Sequence, residues 1–97
     1  MTSTMTIDRF GDKIWRNQEG QWHRTDGPAY ETANGDKAWW VDGQGHRTDG
    51  PAIERADGRK MWYLNGQELT FTEWVDRVAD TEQERTLLLL KYGGVTA

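Results

Sequence analysis

His23-Arg24-Thr25-Asp26-Gly27-Pro28-Ala29 recurs residue for residue as His46-Arg47-Thr48-Asp49-Gly50-Pro51-Ala52, so the chain is built on a unit of 23 residues. Each string follows a Gly-Gln pair, Gly20-Gln21 and Gly43-Gln44. Further upstream a Lys-x-Trp element appears three times, as Lys13-Ile14-Trp15, Lys37-Ala38-Trp39 and Lys60-Met61-Trp62. Trp15 and Trp39 are 24 residues apart rather than 23, which places one extra residue before Gly20 in the first copy. The third copy keeps Gly66-Gln67 but has Leu69 in the histidine place, and no third string follows. A fixed period of this length is the signature of stacked supersecondary units.

The turns indicate which unit is stacked. Asn34-Gly35 and Asp57-Gly58 lie between alternating segments, and such dipeptides favour two-residue hairpin turns because glycine and asparagine accept positive φ. Two-residue turns at both places would oppose Tyr30 to Trp39 and Ile53 to Trp62. They would collect Trp15, Tyr30, Trp39, Val41, Ile53, Trp62 and Leu64 on one core face. The opposite face would then carry Ala29, Glu31, Trp40, Ala52, Glu54, Met61 and Tyr63. Gly27-Pro28 and Gly50-Pro51 reset the chain before each following strand, where proline's fixed φ and missing N–H are tolerated. The expected fold is mainly β with a helical C-terminal cap: an antiparallel meander of stacked hairpins with roughly five to seven strands.

The last third changes character. Thr70-x-x-Glu73 reads as a capping box ahead of Trp74 to Val78, and Asp80-x-x-Gln83 as a second ahead of Glu84 to Tyr92, closed by Gly93. Trp74, Val75, Val78, Leu87, Leu88 and Leu90 would cover the open end or the core face of the sheet, and an array needs such a cap to keep its edge from pairing elsewhere. The expected organisation is one domain. It has an N-terminal extension or first strand over 1–10, repeats over 11–69 (copies 11–34, 35–57 and 58–69), and the cap over 70–97.

Composition bounds the chemistry. Among 97 residues, six Trp, three Tyr and two Phe must supply much of the buried area, while 29% are charged. There is no cysteine, which removes disulfides, thiolate nucleophiles and Cys-ligated zinc. The N-terminal residues lack the pattern of a signal peptide, and the longest apolar run is Leu87 to Leu90, so the expected compartment is the cytoplasm and no membrane insertion is expected. The net charge of -4 is concentrated late: residues 67–97 hold six acids and three bases, against nine and eight over residues 11–66. An acidic chain is a poor match for binding that depends on phosphate neutralisation.

His23 with Asp26 and His46 with Asp49 invite a metal or acid–base reading. Equivalent positions two strands apart are roughly 10 Å apart at ~4.8 Å per strand. Ligands of one zinc lie ~2 Å from it, so neither metal nor cofactor is expected. The expected role is structural, with the aspartate accepting backbone N–H groups and the histidine or arginine stacking on a tryptophan. The sole serine is Ser3 and no phosphate loop appears, so the chain reads as non-enzymatic, without catalytic residues.

Trp40-x-x-Gly43-x-x-His46, and Tyr63-x-x-Gly66 with Leu69 in the histidine place, resemble the MORN repeat over Gly11 to Leu69. The chain departs from that pattern where Arg47 to Ala52 stands in place of a Gly-x-Gly. The HRTDGPA form followed by a short helical tail resembles small proteins of bacteriophages and bacteria. The resemblance implies a hairpin scaffold that binds a protein, and in a phage an inhibitor that blocks a host protein such as a CRISPR defence component in the host cytoplasm. Trp40, Met61 and Tyr63, with Arg16 at the matching place in the first copy and Glu31 and Glu54 beside them, are the candidate partner-binding residues. Either a partner or the helical tail would cover that stripe, and an open aromatic face also suits a homodimer. The alternative is a nucleic-acid or small-ligand binder using Lys13, Lys37 and Lys60 with their tryptophans.

Overall fold

The computed structural model describes residues 3–93; the first two residues of the expected N-terminal extension and the last four of the cap lie outside them. The described chain is a seven-stranded antiparallel sheet, a separate two-stranded hairpin and two C-terminal helices. The strands are β1 (Thr4–Ile7), β2 (Lys13–Arg16), β3 (Tyr30–Glu31), β4 (Lys37–Ala38), β5 (Trp40–Val41), β6 (Gln44–Gly45), β7 (Ile53–Glu54), β8 (Lys60–Leu64) and β9 (Gln67–Leu69). Sheet order is β1-β2-β3-β4-β7-β8-β9, with the β5-β6 hairpin outside it. The molecule measures 45 × 28 × 19 Å and its radius of gyration is 14.4 Å, above the ~12.5 Å of a compact chain of this length. Stacking in one direction accounts for the elongation.

The hairpins use two kinds of turn, and this corrects the expected register. Tyr30 opposes Ala38 and Ile53 opposes Met61, one residue away from the pairing that two-residue turns impose. The loops are three residues long: the Thr32 N–H donates to the Asp36 carbonyl and that of Arg55 to the Arg59 carbonyl. Gly35 and Gly58 have φ of 105° and 94°, whereas Asn34 and Asp57 are absent from the positive-φ residues. This is a turn followed by a left-handed glycine, the usual three-residue hairpin. Two-residue turns occur instead at Asp42-Gly43 (φ 48° and 80°) and Asn65-Gly66 (φ 50° and 83°), where both central residues are left-handed. In the first copy the extra residue lengthens the corresponding turn, and Asn17 N–H donates to the Gln21 carbonyl across it.

A one-residue slip exchanges faces. Lys13, Glu31, Lys37, Glu54 and Lys60 are directly opposed in a row of alternating charge, on the face that Trp15 and Trp62 share by strand alternation. Ile14, Tyr30, Ala38, Ile53 and Met61 form the matching row on the other face. Tyr30 and Ile53 therefore leave the expected core face, and Glu31 and Glu54 leave the side of Met61.

Helix α1 (Phe71–Val78) begins with the expected box: Thr70 Oγ1 accepts from the Glu73 N–H, and the Glu73 carboxylate accepts from the Thr70 N–H. That backbone bond holds the Glu73 carboxyl below the usual carboxylate range. Helix α2 (Glu82–Tyr92) is capped by Thr81 rather than Asp80, with Thr81 Oγ1 accepting from Glu84 N–H, and it ends at Gly93. Trp62, Leu69, Trp74 and Val75 are the buried centre of the cap, flanked by Phe71, Val78, Leu88, Leu89 and Tyr92. Leu89 takes the inward place expected of Leu87 and Leu90, which remain 59% and 57% exposed.

Two measurements test this architecture. Asn65→Ala is expected to lower the unfolding free energy by about 1 kcal/mol because φ is positive there, while Asn34→Ala changes it by less than ~0.5 kcal/mol. Equal urea midpoints for the two would contradict the turn assignment. Trp74→Ala removes the centre of the cap and is expected to cost ~3–5 kcal/mol, against less than ~0.5 kcal/mol for Leu87→Ala.

Candidate interaction surface

The repeated loops are tied to the scaffold through their histidine, arginine and alanine. His23 N–H and His46 N–H donate to the Trp15 and Trp39 carbonyls, and the Ala29 and Ala52 carbonyls accept from the Trp15 and Trp39 N–H groups. His23 Nδ1 accepts from the Asp42 N–H and His46 Nδ1 from the Asn65 N–H, both at 3.0 Å, so each histidine holds the two-residue turn of the following unit. The Asp42 carboxylate is also 3.1 Å from His23 Nδ1. One ring nitrogen cannot accept from an amide while presenting a proton to a carboxylate, and the same bond forms at His46, where Asn65 has no charge. Amide donation to Nδ1 is thus the arrangement common to both units.

Each arginine places its guanidinium over the ring of its own unit's tryptophan. The guanidinium carbons are 4.0 Å from the Trp15 ring for Arg24 and 3.7 Å from the Trp39 ring for Arg47. Arg24 donates to Asp26 and the Pro28 carbonyl, and Arg47 donates to Asp49, the Pro51 carbonyl and Glu54. Asp26 and Asp49 therefore accept from guanidinium, not from the backbone N–H groups the sequence suggested. Gly27 and Gly50 provide the room: a Cβ there would sit 2.8 Å from Arg24 Cζ and 2.7 Å from Arg47 Cζ. A groove of about 480 Å³ separates the two loops, but its arginines and aspartates already engage one another.

This arrangement occupies the Lys-x-Trp ladder. Arg24 covers one face of Trp15 and Arg47 one face of Trp39, while Trp62 packs against Phe71, Trp74 and Tyr92 at centroid distances of 4.8, 4.5 and 5.5 Å. Lys13, Lys37 and Lys60 each have a glutamate directly across the strand pair.

The other face carries the aromatic stripe. Trp22 stacks on Tyr30 at 4.7 Å and meets Trp40 edge-on at 5.4 Å. Trp40, Ile53 and Tyr63 surround a small recess at Gly45, whose missing side chain lets the Tyr63 ring come within 3.3 Å of the Cβ position. Arg16 is at the far end and donates to Thr6 Oγ1. Trp22, Tyr30, Trp40, Ile53, Met61 and Tyr63 are all half-buried, and Trp40, Met61 and Tyr63 are absent from the cap cluster. Burial pushes the Tyr30 hydroxyl pKa up, with the charges of Asp12, Asp8 and Asp36 adding to it. Of the residues expected to act together, Arg16, Trp40, Met61 and Tyr63 share this side, whereas Glu31 and Glu54 belong to the opposite one. Trp22 and Tyr30 were missed because Trp22 stands where the second unit has Gly45, and the assumed turn length put Tyr30 on the wrong side.

No group of three or more His, Asp or Glu side chains with metal-binding placement occurs among the described residues, and no helix there is long and apolar enough to cross a membrane. No family model, curated protein or solved structure matches the chain.

Arg47→Ala is expected to lower the unfolding free energy by about 2 kcal/mol, since a stacked, partly desolvated cation and its hydrogen bonds are lost together. Urea titration followed by tryptophan fluorescence measures it, and an unchanged midpoint would refute the stacking argument.

Proposed function

We propose that this protein is a non-enzymatic interaction module that binds a protein partner through Trp22, Trp40, Met61 and Tyr63. One observation carries the reading: this aromatic face is half-exposed and the helical cap packs elsewhere, on Trp62. Large aromatic side chains around a shallow apolar recess are the composition of interface anchors, because they bury much area with little loss of side-chain freedom. The resemblance of the hairpin spacing to MORN scaffolds points the same way. In a phage setting the partner would be a host protein, such as a defence component, blocked by occupation of its surface. The Lys-x-Trp ladder is a weaker candidate for nucleic acid because arginines already stack on Trp15 and Trp39 and Trp62 is buried.

Affinity capture from host lysate, followed by titration of the recovered partner, tests the proposal. Trp40→Ala and Tyr63→Ala are each expected to weaken binding by at least ~10-fold, the scale of an interface anchor, while Leu87→Ala leaves it unchanged. Full binding by both stripe variants would remove this face from consideration. A salt-sensitive shift of labelled single-stranded nucleic acid would favour the other ligand class.

A further inference from the structure

We propose that the chain self-associates as a two-fold dimer by antiparallel pairing of β1 with β1 of a second copy, centred on Thr6. Among the described residues no strand pairs with the outer edge of β1. β1 bonds inward to β2 in the register Thr4–Arg16, Met5–Trp15, Thr6–Ile14 and Ile7–Lys13. The Asp8 N–H also points inward, to the Asp12 carbonyl. Backbone direction alternates along an antiparallel strand, so the N–H and C=O groups of Met5 and Ile7 point outward.

Exposed edges are commonly protected by a charge, a proline or a bulge. Residues 3–7, Ser-Thr-Met-Thr-Ile, contain no charge and no proline, and every residue of β1 is exposed. Met5 and Ile7 are 41% and 58% exposed, and Phe10 in the adjoining turn is 67% exposed.

The occupant follows from self-complementarity. With Thr6 opposite Thr6 of the second copy, Met5 faces Ile7 and Ile7 faces Met5, in the two positions whose backbone groups point outward. All four apolar side chains then lie together on one face, and the sheet runs continuously through both copies. The opposite edge does not offer the same match, since β9 contains Glu68 and runs directly into the Thr70 cap of α1. Pairing is therefore isologous and closes at two copies. It leaves Trp40 and Tyr63 out of the contact, so it is independent of the partner-binding proposal.

Sedimentation equilibrium of the full chain tests the inference. An edge contact this small is weak, and we expect a dissociation constant of about 10–100 μM, at the low end of interface size. Met5→Lys and Ile7→Glu, both at exposed positions, should each raise it by at least ~10-fold, with the far-UV and near-UV circular dichroism of the folded chain retained. Mixing the two variants should restore dimer, because this register sets the introduced ammonium against the introduced carboxylate. Trp40→Ala should dimerise as the unchanged chain does. A chain that stays monomeric to about 1 mM overturns the proposal, as do folded variants that dimerise normally or a mixture that fails to recover.

Discussion

The fold depends on covering one indole per unit on a single face of a thin sheet. Trp15, Trp39 and Trp62 recur at equivalent positions on that face. A planar guanidinium covers the first two, Arg24 at 4.0 Å and Arg47 at 3.7 Å. The cation keeps its hydrogen bonds through Asp26 or Asp49 and a proline carbonyl while it sits over the ring. The repeated string therefore reads as a fitted lid. Glycine makes space for the arginine, the aspartate orients it, and the alanine, buried in both copies, feeds the next strand.

The cap applies the same solution with different chemistry. Where a third arginine would stand, Thr70 begins α1, and Trp62 is covered by Phe71, Trp74 and Tyr92. The helices attach to the preceding lid: Trp74 Nε1 donates to the Arg47 carbonyl, and the Tyr92 hydroxyl donates to the Asp49 carbonyl. The second loop thus serves its own tryptophan and also seats the cap. With one side of the sheet committed to these lids, the aromatic groups of the other side stay half-buried.

The period, the antiparallel sheet and the helical cap were legible from residues alone, because the repeated string and the Thr70 box are strong local signals. Register was not. Asn34-Gly35 and Asp57-Gly58 resemble two-residue turns, yet each adopts the three-residue form, while Asp42-Gly43 and Asn65-Gly66 take the two-residue form. The dipeptide code is shared by both loop lengths; hydrogen bonding across Thr32–Asp36 and Arg55–Arg59 decides between them. The run of four leucines likewise has no period from which to choose Leu89 over Leu87 or Leu90. Arginine stacking was foreseeable, but histidine bonding to the next turn was not, since it joins residues of different units.

That histidine bond has a consequence for chain length. His23 meets the Asp42 N–H and His46 meets the Asn65 N–H through the same ring atom at the same distance. The joint between successive units is thus a standard coupling, with the socket in one copy and the plug in the next. A further 23-residue unit spliced in at the Ala52 junction would meet a socket already cut to fit it. The scaffold is modular in the carpenter's sense, able to grow from its middle while both of its ends stay as they are.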